Sequence, residues 1–365
     1  MSPFTISGST MMHRKQPALP TLLSHLGRGV LRRRVAPTEI IDPQRLLETQ
    51  RQAEIEQELS LARDIQQGLL LEAVPRLPGY EISAVSLPAR DLGGDLYDFL
   101  TLGNGHHGIM IGDVSGKGLP AALRMAVART VFRHEARRGM SPAATLADVN
   151  RNVIADIPHG MVTMLYTTLD LHTGVLRMAN AGHNFPIVLN GSVSEIELTG
   201  LPLGVDAESD YNELVYQLDY GDTVILFTDG VIEAVSPTGE IFGDDRFQVL
   251  LRTWAGLKPR AVVARLLHEL RAWSGGTQAD DITLVVMRRR SAYLGEELRL
   301  AAVDVLGVER VQELWATLPL PGNDAPAAAW ATLLPDILQR VQSQFGRGLT
   351  RELSGQLRVV LEEYR

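Results

Sequence analysis

Four short acidic motifs, each placed where an apolar run meets a turn, constrain this chain more than any other feature. They are Gly93-Gly94-Asp95-Leu96-Tyr97-Asp98, Gly112-Asp113-Val114-Ser115-Gly116-Lys117-Gly118, Phe227-Thr228-Asp229-Gly230 and Ala279-Asp280-Asp281-Ile282-Thr283. The second follows the apolar run 109–111, the third ends the run 224–227, and the fourth opens the run 282–287. Carboxylates at the ends of buried strands need partners, because an uncompensated buried charge is very costly. Several converging carboxylates also repel one another unless cations neutralise them. Oxygen-only donors suit hard divalent ions such as Mg²⁺ and Mn²⁺. Glycines beside the acids let backbone approach closely, so that a carbonyl can join the donor set. One Asp-Gly pair is ordinarily a turn, but four such motifs adjoining strands of one domain point to a shared site.

The second motif also has the look of a phosphate-binding loop. That loop needs two glycines five apart, the second leading into Lys-Ser/Thr, and here Lys117 is followed by Gly118. Nucleotide binding is rejected on that ground. Composition removes other classes. The chain has 365 residues and no cysteine, which excludes thiolate nucleophiles, zinc–thiolate sites, iron–sulfur clusters and disulfides. A formal charge of −8 argues against nucleic-acid affinity, which requires a basic surface. With 45% hydrophobic and 21% charged residues the composition is that of a globular protein. There is no apolar run of membrane-spanning length, so a cytoplasmic location and no membrane span are expected.

Residues 1–41 carry Arg14, Lys15, Arg28 and Arg32 to Arg34 with no acid before Glu39, and read as a basic, disordered tail. A short basic amphipathic helix over 21–34 is the alternative. The segment 42–71 predicts one long helix, with Asp42 as its cap and Pro43 in the first turn. Its apolar stripe is Ile55, Leu59, Ala62, Ile65 and Leu69. It serves either its own domain or a homodimer. Residues 76–290 alternate β-type runs, at 80–86, 107–113, 164–170, 174–180, 185–189, 214–218, 223–228 and 282–288, with helices at 119–138, 142–157 and 258–273. Ser141 before Pro142 is the expected N-cap of the second helix. This pattern predicts an α+β layered fold with sheets inside and helices outside. Residues 291–365 read as a small C-terminal helical module, with helices at 308–318, 327–345 and 349–364 and a kink or restart at Pro335.

At the four motifs the chain resembles the metal-dependent PPM (protein phosphatase 2C-type) family, in its bacterial sporulation and stress-response (SpoIIE-type) branch. Further matches are Pro88-Ala89-Arg90, Asn180-Ala181-Gly182-His183-Asn184 and Leu201-Pro202-Leu203-Gly204. The resemblance runs from about Glu58 to Met287. It implies an α-β-β-α sandwich, two mainly antiparallel sheets flanked by helices, with two Mn²⁺ or Mg²⁺ ions at one edge. By position, Asp113 bridges both ions, the Val114 carbonyl completes one shell, Asp229 and Asp280 hold the second ion, and Asp95 sits near the first. Asp281 is the less certain member of its pair, and Asp98 is expected to tie its loop to the domain. Arg90 is a candidate phosphate contact, with a solvated surface role as its alternative. His183 is a candidate substrate contact or general acid, with packing inside its own turn as the alternative.

The resemblance implies hydrolysis of phosphoserine or phosphothreonine by a metal-activated water, without a phosphoenzyme. The implied substrate is a phosphorylated regulatory protein of the anti-sigma-factor antagonist type. Glu58-Leu59, Ala62-Arg63 and Ile65-Gln66-Gln67 also match that branch, in which this helix links an input to the phosphatase. The family's usual upstream sensor domain has no counterpart among the first 40 residues. Two alternative functions compete with this one. A silent pseudo-phosphatase scaffold has no need to keep like charges together, and another two-metal hydrolase such as a nuclease suits the acidic charge poorly.

Overall fold

The computed structural model describes residues 43–69, 73–157 and 160–364 of the chain. The basic N-terminal segment and the expected cap at Asp42 lie outside the described residues. The chain falls into two units, residues 1–51 and 52–365, and the second holds every strand and every helix after the first. Only helix α1 (Pro43–Leu69) belongs to both.

Two five-stranded sheets make the centre. One has the order β1-β10-β9-β6-β7, formed by Tyr80–Leu87, Ile282–Arg289, Thr223–Phe227, Ile187–Leu189 and Val193–Glu195. The other has the order β2-β3-β4-β5-β8, formed by Leu96–Gly103, His106–Val114, Val162–Asp170, Val175–Ala181 and Glu213–Gln217. Every pairing is antiparallel. Strand alternation assigns side chains to layers. In β9, Val224 and Leu226 join Val285 and Met287 of β10 and Ile109 and Ile111 of β3 in the core between the sheets. Ile225 and Phe227 point the other way, with Leu284 and Val286, into an outer core. Strands buried on both faces read as unbroken apolar runs, which is why 109–111 and 282–287 were legible as strands.

Helices α2 (Leu119–Ala136) and α3 (Pro142–Asp156) cover the outer face of the β3 sheet with Met125, Phe132, Leu146, Val149 and Val153. Ser141 caps α3 through a hydrogen bond from the Ala144 amide. The β9 sheet is covered by α4 (Asp244–Thr253), α5 (Pro259–Trp273), α6 (Leu294–Leu306), α7 (Val308–Thr317), α8 (Ala327–Phe345) and α9 (Arg347–Glu363), whose apolar faces form one continuous core with Ile225, Leu284 and Val286. The α-β-β-α sandwich is therefore the architecture. Helix α8 runs as one element through Pro335, so that proline does not restart it.

A buried charge network fastens this helical layer. Both oxygens of Glu297 in α6 accept from Arg288 Nη2 of β10, at 2.7 and 2.6 Å. Arg288 also donates to Glu81 of β1 at 3.1 Å. Among the described residues no helix is long and apolar enough to cross a membrane.

Burying each large apolar side chain is worth roughly 1.5–3 kcal/mol. A one-residue slip would turn every such side chain to the wrong face, so the register is fixed and with it the position of each strand end. Strand ends are where the acids sit.

Candidate active site

All four acidic motifs reach the same edge of the sandwich. Asp95 immediately precedes β2, Asp113 is the penultimate residue of β3, Asp229 follows β9 by two residues, and Asp280 and Asp281 precede β10. Leu96 pairs with Gly112 in one sheet and Leu284 with Phe227 in the other, which aligns these termini. Thr228 then joins the sheets. Its hydroxyl donates to Asp95 Oδ2 at 2.7 Å and accepts from the Thr283 amide at 2.9 Å.

The electrostatics of the cluster record how close the acids are. Asp113 is pushed up to about 6, first by burial and then by the charge of Asp229, with Asp280 and Asp281 adding to it. Asp95 is raised well above the usual carboxylate range by burial and by Asp113. Asp229 is raised by burial, then by Glu233 and Asp280. Carboxylates drawn from both sheets therefore share one field; the sequence reading named Asp95, Asp113, Asp229, Asp280 and Asp281 as candidates and missed Glu233.

Glycines allow the approach. A β-carbon on Gly94 would lie 2.7 Å from the Val114 carbonyl oxygen and 3.4 Å from Asp113 Oδ1. At Gly230 it would run into the Asp281 carbonyl oxygen. Neither obstacle is the yielding end of a flexible side chain.

The remaining acids have protein partners. Asp281 is buried and accepts from the Ala89 and Gly94 amides, each at 2.7 Å, so it holds the loop 88–94 that leads into Asp95. Asp98 is fully buried against α2, 2.6 Å from Arg133 Nη1 and 3.1 Å from Arg129 Nε, and fastens α2 to β2. Lys117 Nζ donates to Asp280 Oδ2 at 2.6 Å and to the Ala279 carbonyl at 2.9 Å. Gln66 of α1 grips the same loop as Asp281, donating to the Gly93 carbonyl at 2.7 Å and accepting from its amide at 3.3 Å. Arg63 pairs with Asp91 beside it.

Two candidates from the sequence fall differently. Arg90 is exposed on the 88–94 loop. His183 is only 5% exposed, which removes it from the surface that an incoming phosphate would meet. Its Nδ1 lies 2.8 Å from Thr163 Oγ1, and its backbone amide and carbonyl are bonded to the Asn180 side chain. The backbone holds the turn while the ring packs against β4, and burial pulls it down to about 4, in the neutral state.

The stripe expected on α1 also divides. Gln66 is buried and Leu59, Ala62 and Leu69 are half-buried, but Ile55 and Ile65 face outward with Leu61. The sequence reading gave no role to Thr228 or Lys117. A threonine inside a fully buried run, next to an aspartate, is the signal that marks Thr228.

The donor chemistry fits hard divalent cations: clustered carboxylates, three of them with proton affinity raised by burial and mutual repulsion, beside the approachable Val114 carbonyl. Among the described residues no set of three or more Asp, Glu or His side chains is closed around a point as a finished metal cage. Lys117 on Asp280 and Thr228 on Asp95 hold two of the acids instead.

Comparison with known proteins agrees with this fold. Residues 103–290, just over half of the chain, match the family model of Stage II sporulation protein E (SpoIIE). Phosphoserine phosphatase RsbU of Bacillus subtilis is 31% identical over 243 residues, covering 66% of this chain and 72% of that protein. The SiaA-PP2C domain of Pseudomonas aeruginosa superposes with a TM-score of 0.58 at 26% identity, over 65% of this chain and 98% of that one. The RsbU and RsbW domains of Rv1364c from Mycobacterium tuberculosis give 0.55 at 25% identity, over 77% and 79%. With its fold, the family model and these relatives in agreement, the chain belongs to the SpoIIE family of PP2C-type phosphatases.

Proposed function

We propose that this phosphoprotein phosphatase hydrolyses phosphoserine or phosphothreonine on a regulatory protein of the anti-sigma-factor antagonist type. The observation that carries the reading is the convergence of Asp95 and Asp113 from one sheet with Asp229 and Asp280 from the other, linked through Thr228. Asp95, Asp113, Asp229 and Asp280, with the Val114 carbonyl, would hold two Mn²⁺ or Mg²⁺ ions. Such ions acidify a water and neutralise charge on the phosphoryl oxygens.

The chain's own residues do the rest. Thr228 fixes the orientation of Asp95 by donating to one of its oxygens. Asp281 and Gln66 hold the loop 88–94 in place from two sides, which sets where Asp95 and Arg90 stand. Arg90, exposed on that loop, would be the contact for the phosphate dianion. Lys117 neutralises Asp280 and would release it to an incoming cation. A catalytically silent scaffold would leave the three raised carboxylates without a use.

The outward Ile55, Leu61 and Ile65 of α1 are the surface on which a homodimer through the 42–71 helix would form. The test of function is manganese-dependent release of phosphate from a phosphoserine protein. Wild-type protein that releases none, in the presence of Mn²⁺ or Mg²⁺, refutes the reading. Asp113→Asn should retain the fold and lose at least about a hundredfold in kcat, the scale of losing a principal source of electrostatic catalysis. Normal turnover by that variant would refute the assignment of Asp113.

A further inference from the structure

The strand ends that carry Asp229 and Asp280 also open a groove of about 510 Å³, to which Gly230 and Asp280 contribute. One wall is helix α5. Its Val262, Val263, Leu266 and Leu270 are buried in the outer core. Ala264, Leu267, His268 and Arg271, with the edge of Leu270, line the groove. Leu87 and Ile282, the end of β1 and the start of β10, also line it.

Three features say what fits. The groove shares Asp280 and Gly230 with the edge that carries the acids, so a chain lying in it runs up to that edge. From Ala264 to Arg271 the wall is about 10 Å long at 1.5 Å per helical residue, which matches roughly three extended residues at 3.3 Å each. Leu267, half-buried against the outer core, keeps an apolar edge on the groove. Glu233 and Asp280 make the end beside Asp229 acidic, while the exposed Arg271 guanidinium has no ion-pair partner among the described residues.

We propose that this groove seats the segment flanking the phosphorylated side chain of the protein substrate, taking an apolar residue against Leu267 and an acidic residue on Arg271. The proposal deepens the phosphoprotein phosphatase reading and rests on it. A basic flanking residue is disfavoured at Arg271 by like charge, and the slot's length admits one extended segment of the substrate, not its folded body.

The test uses two fluorescent phosphoserine peptides. One carries Leu and Asp two and three residues from the phosphoserine on both sides, and in the other the aspartates are lysines. Binding is read by fluorescence anisotropy on the full chain carrying Asp113→Asn, in Mn²⁺. The acidic peptide should bind more tightly. Adding Arg271→Glu should weaken it by about fivefold and strengthen the lysine peptide, the scale of reversing one partly exposed ion pair. Ala264→Trp, which fills the groove from an exposed helix position, should weaken both peptides by about tenfold or more. Thermal melts establish that both variants are folded.

An unchanged ratio between the peptides in Arg271→Glu, or unchanged binding in Ala264→Trp, overturns the proposal. Turnover of the same peptides by the wild type reports separately on the phosphatase reading. No turnover with the preference inverted in Arg271→Glu retires that reading and leaves the groove standing; turnover with an unaltered preference does the reverse.

Discussion

Replacing Asp281 by alanine tests whether the second acid of the Asp280-Asp281 pair is scaffold or ligand. Its carboxylate accepts from the Ala89 and Gly94 amides, each at 2.7 Å. A hydrogen bond to a charged acceptor is worth about 1.5–3 kcal/mol, and a buried donor left without a partner forfeits its solvation as well. Gly94 is buried and its amide has no substitute acceptor, whereas Ala89 is half-buried and water can replace part of its bond. The loss is therefore about 2–4 kcal/mol. An opposing effect exists, because Asp281 contributes to the upward shifts of Asp95 and Asp113. It is the smallest of the contributions to each, so the lost hydrogen bonds win.

Asp281→Ala should therefore lower the melting temperature. It should also raise the Mn²⁺ concentration for half-maximal phosphate release by about tenfold, equivalent to about 1.4 kcal/mol of loop ordering now drawn from metal binding. Saturating Mn²⁺ should recover much of kcat. Asp281→Asn, which keeps one acceptor oxygen, should fall between. An alanine variant that melts and responds to Mn²⁺ like the wild type refutes the clamp. A stably folded variant that no concentration of Mn²⁺ activates would make Asp281 a ligand and refute the scaffold role.

Three more outcomes are expected from the packing. Gly94→Ala should cost about 1–3 kcal/mol and more than tenfold in turnover, because its β-carbon would sit 2.7 Å from the Val114 carbonyl oxygen; thermal melts and phosphate release measure both. Glu297→Ala strands the buried Arg288 guanidinium with Glu81 alone and should destabilise by about 3 kcal/mol. Urea unfolding followed by tryptophan emission should keep a single transition, since the helices α6–α9 share a core with β9 and β10. His183 is held at about 4, below its ordinary 6.5. A depressed imidazole favours the fold only while neutral, so its stabilisation is complete above pH 6.5 and is lost as pH falls toward 4. The wild type should lose about 2–3 kcal/mol more than His183→Gln between pH 7.5 and 4.5, as compared by urea melts.

The sandwich was legible because its central strands are apolar on both faces. The runs 223–228 and 282–288 needed no knowledge of their partners to be read as strands. β2 was not legible: Asp98 was expected to tie its loop to the domain, but its partners Arg129 and Arg133 lie more than 30 positions on, in α2. α4 begins Asp-Asp-Arg, which reads as a turn, and is helical because Phe247 and Leu251 find the outer core. α6 is buried on most of its surface, so it lacks the polar face that marks a surface helix.

The site divides along the same line. Acids placed beside strand ends were visible as motifs, but the role of Asp281 depends on amides 187 and 192 residues away. His183 carried two readings, substrate contact or packing inside its own turn, and it is buried where Asn180 holds the turn and Thr163 meets the ring. Arg271 carried no motif. Only the packing of α5 brings it to a groove shared with Asp280.

The acids at this edge fall into two electrostatic classes, and the division bears on how cations would enter. Asp98 is balanced by two arginines, Asp281 by two amides and Asp280 by Lys117. Among the described residues Asp113 and Asp229 make no ion pair, and Asp95 has a threonine hydroxyl in place of a cation; all three resist ionisation. Burial alone does not explain the contrast, since Asp98 is more deeply buried than any of the three. What differs is whether the fold supplies a counter-charge in contact. The fold thus completes the positions that shape the loop and the helix, and leaves incomplete the positions where charge must come from outside. Asp280 stands between the classes: its ammonium partner is half-exposed and flexible, so a divalent ion can displace it without disturbing a strand. A cation reaching this edge would meet Asp95, Asp113 and Asp229 already in need of charge, and would take Asp280 only by outcompeting a single surface lysine.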